Sequence, residues 1–123
     1  MPWNLDSKRP IYEQLIERVM QDIVTGNYKP GEKLPSVREL ATLAAVNPNT
    51  MQRALAELET SGLINTQRTS GRFVTDDAGL IQQARQNLAL TQVRTYIYQM
   101  QQLQITPDEM QQLLAKTLEE GTL

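Results

Sequence analysis

Between Pro30 and Leu63 the chain reads PGEKLPSVRELATLAAVNPNTMQRALAELETSGL, and this stretch constrains the fold more than any other. It holds two helix starts a few residues apart. Ser36-Val37-Arg38-Glu39 has the form of a capping box, in which the serine hydroxyl accepts an amide of the first turn and the glutamate reaches back. Asn47-Pro48 is a capping residue followed by proline at the first helical position. The helix that opens at Ser36 must therefore stop before Asn47, which leaves room only for a tight turn. Leu40 and Leu43 are expected to face inward, Ala41 to let another helix cross closely, and Val46 to close the turn against the core. The next helix runs through Met51, Leu55 and Leu58 and ends at Gly62. Two helices joined in this way form a helix-turn-helix whose second member presents a polar N-terminus.

The flanking residues complete a small domain. Pro10 suits a first-turn position, and Ile11, Leu15, Val19 and Ile23 then recur every four residues, with Ile16 and Met20 beside them. Gly26 is the expected stop, and Tyr28-Lys29-Pro30-Gly31 reads as a turn. Leu63 to Gln67 reads as a strand, Arg68 to Arg72 as a turn with two cations, and Phe73 to Thr75 as the returning strand. A hairpin this small is not stable alone and should pack on the three helices, which makes a winged helix.

Asp76-Asp77-Ala78-Gly79 is the best boundary, so two regions are expected: residues 1–75, a winged helix-turn-helix, and residues 76–123, a helical appendage. Leu80 to Leu103 is one long segment without proline or glycine. Thr106-Pro107-Asp108-Glu109 then opens a last helix with Met110, Leu113, Leu114 and Leu118 on its apolar face. The long segment carries two apolar stripes, Ile81, Ala84 and Leu88 on one and Leu90, Val93, Ile97 and Met100 on another. A helix with two apolar faces has two things to bury, and a two-helix appendage is too small to bury both by itself. Leu88, Leu90, Val93, Ile97 and Met100 are thus expected at a dimer interface, the alternative being packing within one monomer. The fold class is mainly α with one small β hairpin.

Composition narrows the functions. The 123 residues contain no cysteine and no histidine, which removes disulfides, thiolate metal sites and imidazole acid–base chemistry. No Ser-x-x-Lys, glycine-rich phosphate loop or metal-loop spacing is present, so neither an enzyme nor a cofactor is expected. There is no apolar run of about 18 residues and no apolar core in MPWNLDSKRP, so neither a membrane span nor secretion is expected and the compartment is cytoplasmic. The net charge is −2, but residues 1–75 carry nine Lys/Arg against eight Asp/Glu, and the acidic excess lies in the tail. Phosphate affinity depends on local charge, so Lys33, Arg38, Arg53, Arg68 and Arg72 matter if they share one face.

That condition suggests double-stranded DNA as the partner, since a helix-turn-helix sets the second helix into the major groove. Arg38 leaves its helix in step with Ser36, placed for a phosphate or a base edge; its alternative is a surface ion pair with Glu39 or Glu32. Asn47, Asn49 and Thr50 stand on the first turn of the third helix, where free amides and the helix dipole attract phosphate. Asn49 and Gln52 can each make bidentate contacts to adenine, and Arg53 can meet phosphate or guanine. Asn47 caps its helix in any case, and Pro48 starts it while offering an apolar contact to a thymine methyl. The Arg68–Arg72 turn would lie in or beside the minor groove, with Gly71 supplying a positive φ. The alternative is an ordinary hairpin turn with exposed arginines. The competing class is a winged-helix protein-interaction module without specific DNA binding, which the polar opening of the third helix and the wing arginines argue against.

Read together, these motifs resemble the GntR family of bacterial transcription regulators. The matching pieces are Pro10-Ile11-Tyr12-Glu13-Gln14-Leu15, Gly31 with Leu34 to Ala41, Asn47-Pro48-Asn49-Thr50, Gln52 to Leu55, Leu58-Glu59, Gly62-Leu63-Ile64 and Gly71 to Val74. The Asn-Pro-Asn-Thr opening and the short tail are similar to the YtrA subfamily. The resemblance implies DNA contacts from Arg38, from Asn47, Pro48, Asn49 and Gln52, and from the wing residues Arg68, Ser70, Gly71 and Arg72. It also implies a homodimer formed through the two tail helices and a repressor acting at a twofold operator, commonly that of a transporter operon. No effector is implied by so short a tail. Three positions depart from the pattern. Ala45 stands where the turn usually has glycine, Thr69 replaces a wing glycine, and Arg72 replaces a small residue and would add a cation to the contact set.

Overall fold

The computed structural model describes residues 3–67 and 69–121. In chain order the elements are α1 (Ile11–Val24), α2 (Val37–Ala44), α3 (Pro48–Ser61), β1 (Ile64–Gln67), β2 (Gly71–Val74), α4 (Ala78–Gln102) and α5 (Pro107–Glu120). The fold is mainly helical with one antiparallel hairpin, as the sequence patterning implies. The chain divides into two compact units, residues 1–86 and residues 87–123, and the division falls within α4.

In the first unit each helix is placed by a local signal and held by its apolar face. Pro10 stands just outside α1 as its N-cap rather than within the first turn. Gln14 is buried and ties the preceding arm to α1: its Nε2 donates to the carbonyls of Asp6 (2.6 Å) and Arg9 (3.1 Å), and its Oε1 accepts the Asp6 amide at 2.7 Å. Ser36 caps α2 with both halves of the capping box formed, and Asn47 caps α3 with Pro48 at the first helical position. Leu15, Val19 and Ile23 of α1, Leu40 of α2, and Met51, Leu55 and Leu58 of α3 meet in one core. Burying each such side chain contributes roughly 1.5–3 kcal/mol.

Leu43 does not join that core. It is 46% exposed, while the buried residues of α2 are Leu40, Ala41 and Ala44. At about 100° per residue these three span an arc centred near Ala44, and Leu43 lies about 100° from that centre. The two alanines let α2 approach closely on their own side, and that choice turns Leu43 outward. Ala45 ends α2 in the left-handed conformation (φ 60°, ψ 49°), and Val46 packs against the core beyond it.

The hairpin pairs Ile64 with Val74, Asn65 with Phe73, Thr66 with Arg72 and Gln67 with Gly71. Ile64 and Val74 are buried, so one face of the hairpin closes the helical core. A further stretch, Gly31 to Leu34, lies along the free edge of β2. The Gly31 amide donates to the Val74 carbonyl (3.0 Å), the Val74 amide to the Glu32 carbonyl (2.9 Å) and the Leu34 amide to the Arg72 carbonyl (2.8 Å). Sequence patterning gives Gly31 to a turn and assigns no strand here. Gly31 itself needs its positive φ of 80°, and a Cβ there would stand 2.7 Å from Asp76 Oδ1. The start of α4 belongs to this unit, with Ala84 in the core and Ile81 packed against it.

In the second unit α4 ends in a turn at Leu103-Gln104, with Gln104 at φ 61°. Thr106 opens α5 with a complete capping box and Pro107 at its first position. Apolar surface remains open on both helices. Leu90 is 45% and Val93 49% exposed on α4, Leu113 and Leu114 are each 47% exposed on α5, and Leu88, Ile97 and Met100 are half-buried. Val93, Tyr96, Ile97, Ile105, Met110 and Leu114 line an open apolar crevice of about 600 Å³. No helix among the described residues is long and apolar enough to cross a membrane.

Candidate nucleic-acid interface

The starts of α2 and α3 and the tip of the hairpin come together around a cleft of about 660 Å³. Ser36 and Arg38 line it from α2, Pro48 from α3, and Ser70, Gly71 and Arg72 from the wing. Six of the residues singled out in the sequence thus share one cleft. Arg68 lies outside the described residues.

Arg38 is exposed and, among the described residues, makes no ion pair or side-chain hydrogen bond. The two acids that could have neutralised it are engaged elsewhere. Glu39 accepts the Ser36 amide at 3.0 Å, and Glu32 accepts the Lys29 amide at 2.8 Å. The Ser36 amide, and with it the Ser36 hydroxyl, holds the Glu39 carboxyl below its ordinary value. The capping box therefore leaves the Arg38 guanidinium as an uncommitted cation beside the cleft.

The first turn of α3 differs from the expectation of free amides. The Asn49 amide donates to Asn47 Oδ1 (2.8 Å), the Thr50 and Met51 amides donate to the Asn47 carbonyl (3.0 and 3.2 Å), and Pro48 has no N–H. Asn47 thus satisfies its own helix, as a cap does. What α3 presents outward is side chains: Asn49, Gln52 and Arg53 are exposed, whereas Thr50 is half-buried. Asn49, Gln52 and Arg53 are three and four residues apart and so lie on one face. The Arg53 guanidinium sits 3.7 Å from the centroid of the Tyr12 ring on α1.

In the wing, Gly71 has φ 105°, and a Cβ there would approach Lys33 Cε at 3.1 Å. Lys33 also forms a β-bridge with Phe73 and lines the cleft. Sequence patterning counts Lys33 only among the cations that matter if they share a face; pairing of the Gly31–Leu34 stretch with β2 is what carries it there. Arg72 is turned toward α3. Its side chain is 18% exposed, and its Nε donates to Glu59 Oε1 at 2.5 Å.

This geometry can be set beside known proteins. Residues 11–74 match the model of the gntR family of bacterial regulatory proteins. The chain belongs to that family. It is 36% identical over 115 residues to YhcF of Bacillus subtilis, a helix-turn-helix transcriptional regulator, covering 94% of each chain. It is 49% identical over 72 residues to the transcriptional repressor YtrA of the same organism, covering 58% of this chain and 55% of YtrA. Among solved structures, a GntR family transcriptional regulator from Listeria monocytogenes superposes with a TM-score of 0.82 at 40% identity, over 91% of this chain and 98% of that one. The DNA-binding domain of AraR in complex with operator ORE1 matches with a TM-score of 0.53 at 28% identity, over 61% of this chain and 94% of that one. The protein is a DNA-binding transcription regulator of the helix-turn-helix type, YtrA-like in its relatives.

Proposed function

We propose that this regulator is a cytoplasmic homodimeric repressor that binds an inverted-repeat operator in double-stranded DNA, and that the operator controls a transporter operon. The observation that carries the reading is the cleft where uncommitted Arg38 meets Pro48 and the wing, beside the exposed row Asn49, Gln52 and Arg53. Arg38 and the Asn49–Arg53 row supply the side-chain chemistry of major-groove contact, and Ser36, Ser70 and Lys33 fit phosphate. Asn47, Pro48 and Thr50 place α3, and Gly71 places the wing.

On this reading residues 1–75 bind DNA and residues 76–123 dimerise. The start of α4 completes the core of the DNA-binding unit, while Leu88, Leu90, Val93, Ile97 and Met100 face the second copy. A twofold dimer sets two recognition helices about 34 Å apart, one DNA turn, which is why the operator would be an inverted repeat.

The test is a titration against a duplex from the promoter upstream of the protein's own gene and against a scrambled duplex, each at two salt concentrations. A preference for the promoter that persists at higher salt supports the reading, and footprinting then locates the repeat. Equal, steeply salt-sensitive affinity for both duplexes would leave only counterion release and remove the claim of specificity for that promoter. Binding to neither would count for the protein-interaction module.

A further inference from the structure

Three side chains come together one residue pair in from the turn of the wing. Thr66 and Arg72 are cross-strand partners, so they leave the hairpin on one face, the face on which Ile64 and Val74 are buried. Glu59, in the last turns of α3, receives the Arg72 Nε at 2.5 Å, with the two side chains 18% and 31% exposed. The Thr66 hydroxyl, and after it Arg72, holds the Glu59 carboxyl below its ordinary value against the cost of desolvation. The far edge of β2 is fastened by backbone hydrogen bonds to Gly31, Glu32 and Leu34. The wing is thus held along one edge by backbone and on one face by a carboxylate.

We infer that Glu59 is a positioning residue that sets the wing against α3, and that Arg72 is the wing's anchor rather than a phosphate ligand. The inference rests on the DNA-binding reading and reassigns one residue within it, since the sequence alone gives Arg72 to the contact set. The two roles predict opposite signs. If Arg72 binds phosphate, Glu59 competes with the DNA for it, and removing the carboxylate strengthens binding. If Arg72 is an anchor, removing the carboxylate loosens the wing and weakens binding.

Full-length wild type, Glu59→Gln, Arg72→Gln and the double variant are compared in two ways. The first is affinity for the labelled promoter duplex across a series of salt concentrations. The second is hydrogen exchange of the 64–74 segment in the free protein. An anchor makes each single variant bind roughly fivefold more weakly, the double variant no worse than either, and the salt slope unchanged. It also accelerates exchange in the wing in both single variants while exchange in α1 stays as in wild type. Overturning results are tighter binding by Glu59→Gln, a salt slope lower by about one in Arg72→Gln, or wild-type exchange in the wing of both variants. Should the wild type bind neither promoter nor scrambled duplex, the DNA reading fails and the exchange measurement alone decides the anchor.

Discussion

Ala45 is, with Gln104, one of two non-glycine residues at positive φ among the described residues. It takes the left-handed conformation at the end of α2, where glycine carries no Cβ penalty. That conformation costs an L-residue roughly 1–2 kcal/mol, of which glycine returns part through its freer unfolded chain. Ala45→Gly is expected to stabilise the first unit by about 0.5–1 kcal/mol in urea denaturation. An unchanged or lower midpoint would show that the turn carries no strain. Arg38 poses the converse case, a side chain without a role in the fold. Arg38→Ala should weaken binding to the specific duplex by roughly 1–3 kcal/mol while leaving thermal stability alone. Affinity equal to wild type would take Arg38 out of the interface. The site's residue types were readable in the sequence, because helix caps and cations announce themselves locally. Which side chains the cations meet was not: Arg53 over Tyr12 and Arg72 on Glu59 depend on partners 41 and 13 positions away.

The helices were legible as elements because their ends are set by neighbours in sequence. Ser36 with Glu39, Asn47 with Pro48 and Thr106 with Glu109 all form the caps that their spacing implies. The short strand-like stretch before α2 was not legible, since nothing in Glu32-Lys33-Leu34 alternates, and its partner lies on β2. Between α3 and the hairpin, the Glu59 carboxyl, held by the Thr66 hydroxyl and by Arg72, makes a pH-dependent contribution with a definite sign. A carboxyl whose folded pKa lies below its unfolded value stabilises the fold above that value and ceases to do so as pH falls through the folded one. The ordinary value is 4.5, so the stability difference between wild type and Glu59→Gln should be full at neutral pH and shrink as the pH is lowered below 4.5. Denaturant midpoints of both proteins at several pH values check this, and a gap that grows on acidification would contradict it.

For the molecule as a whole, the open apolar surface of residues 87–123 carries the question of assembly. Leu90→Asp combined with Val93→Asp should turn a dimer into a monomer in sedimentation and weaken operator binding at least tenfold, since charges buried in an interface lose more than the apolar contacts gave. A double variant that sediments as wild type would exclude that stripe from the interface. A truncation meant to isolate the DNA-binding unit should fall after Gln86 and not at Gly79, because Ala84 is buried in the first core and Ile81 packs against it. Packing of the first core continues past the Asp76–Gly79 motif into α4. By itself the sequence determined the capped starts of α2, α3 and α5, the helix-turn-helix and the presence of a hairpin, because caps, turns and apolar periodicity act over a few residues; it placed the start of α4 two residues late and gave Gly71 and Arg72 to the turn rather than to β2. Only the tertiary structure decided that Leu43 faces outward, that Lys33 reaches the cleft, that the α3 amides are already satisfied and that Arg72 is held by Glu59. Each of these depends on how closely distant segments approach, which packing sets and local pattern does not.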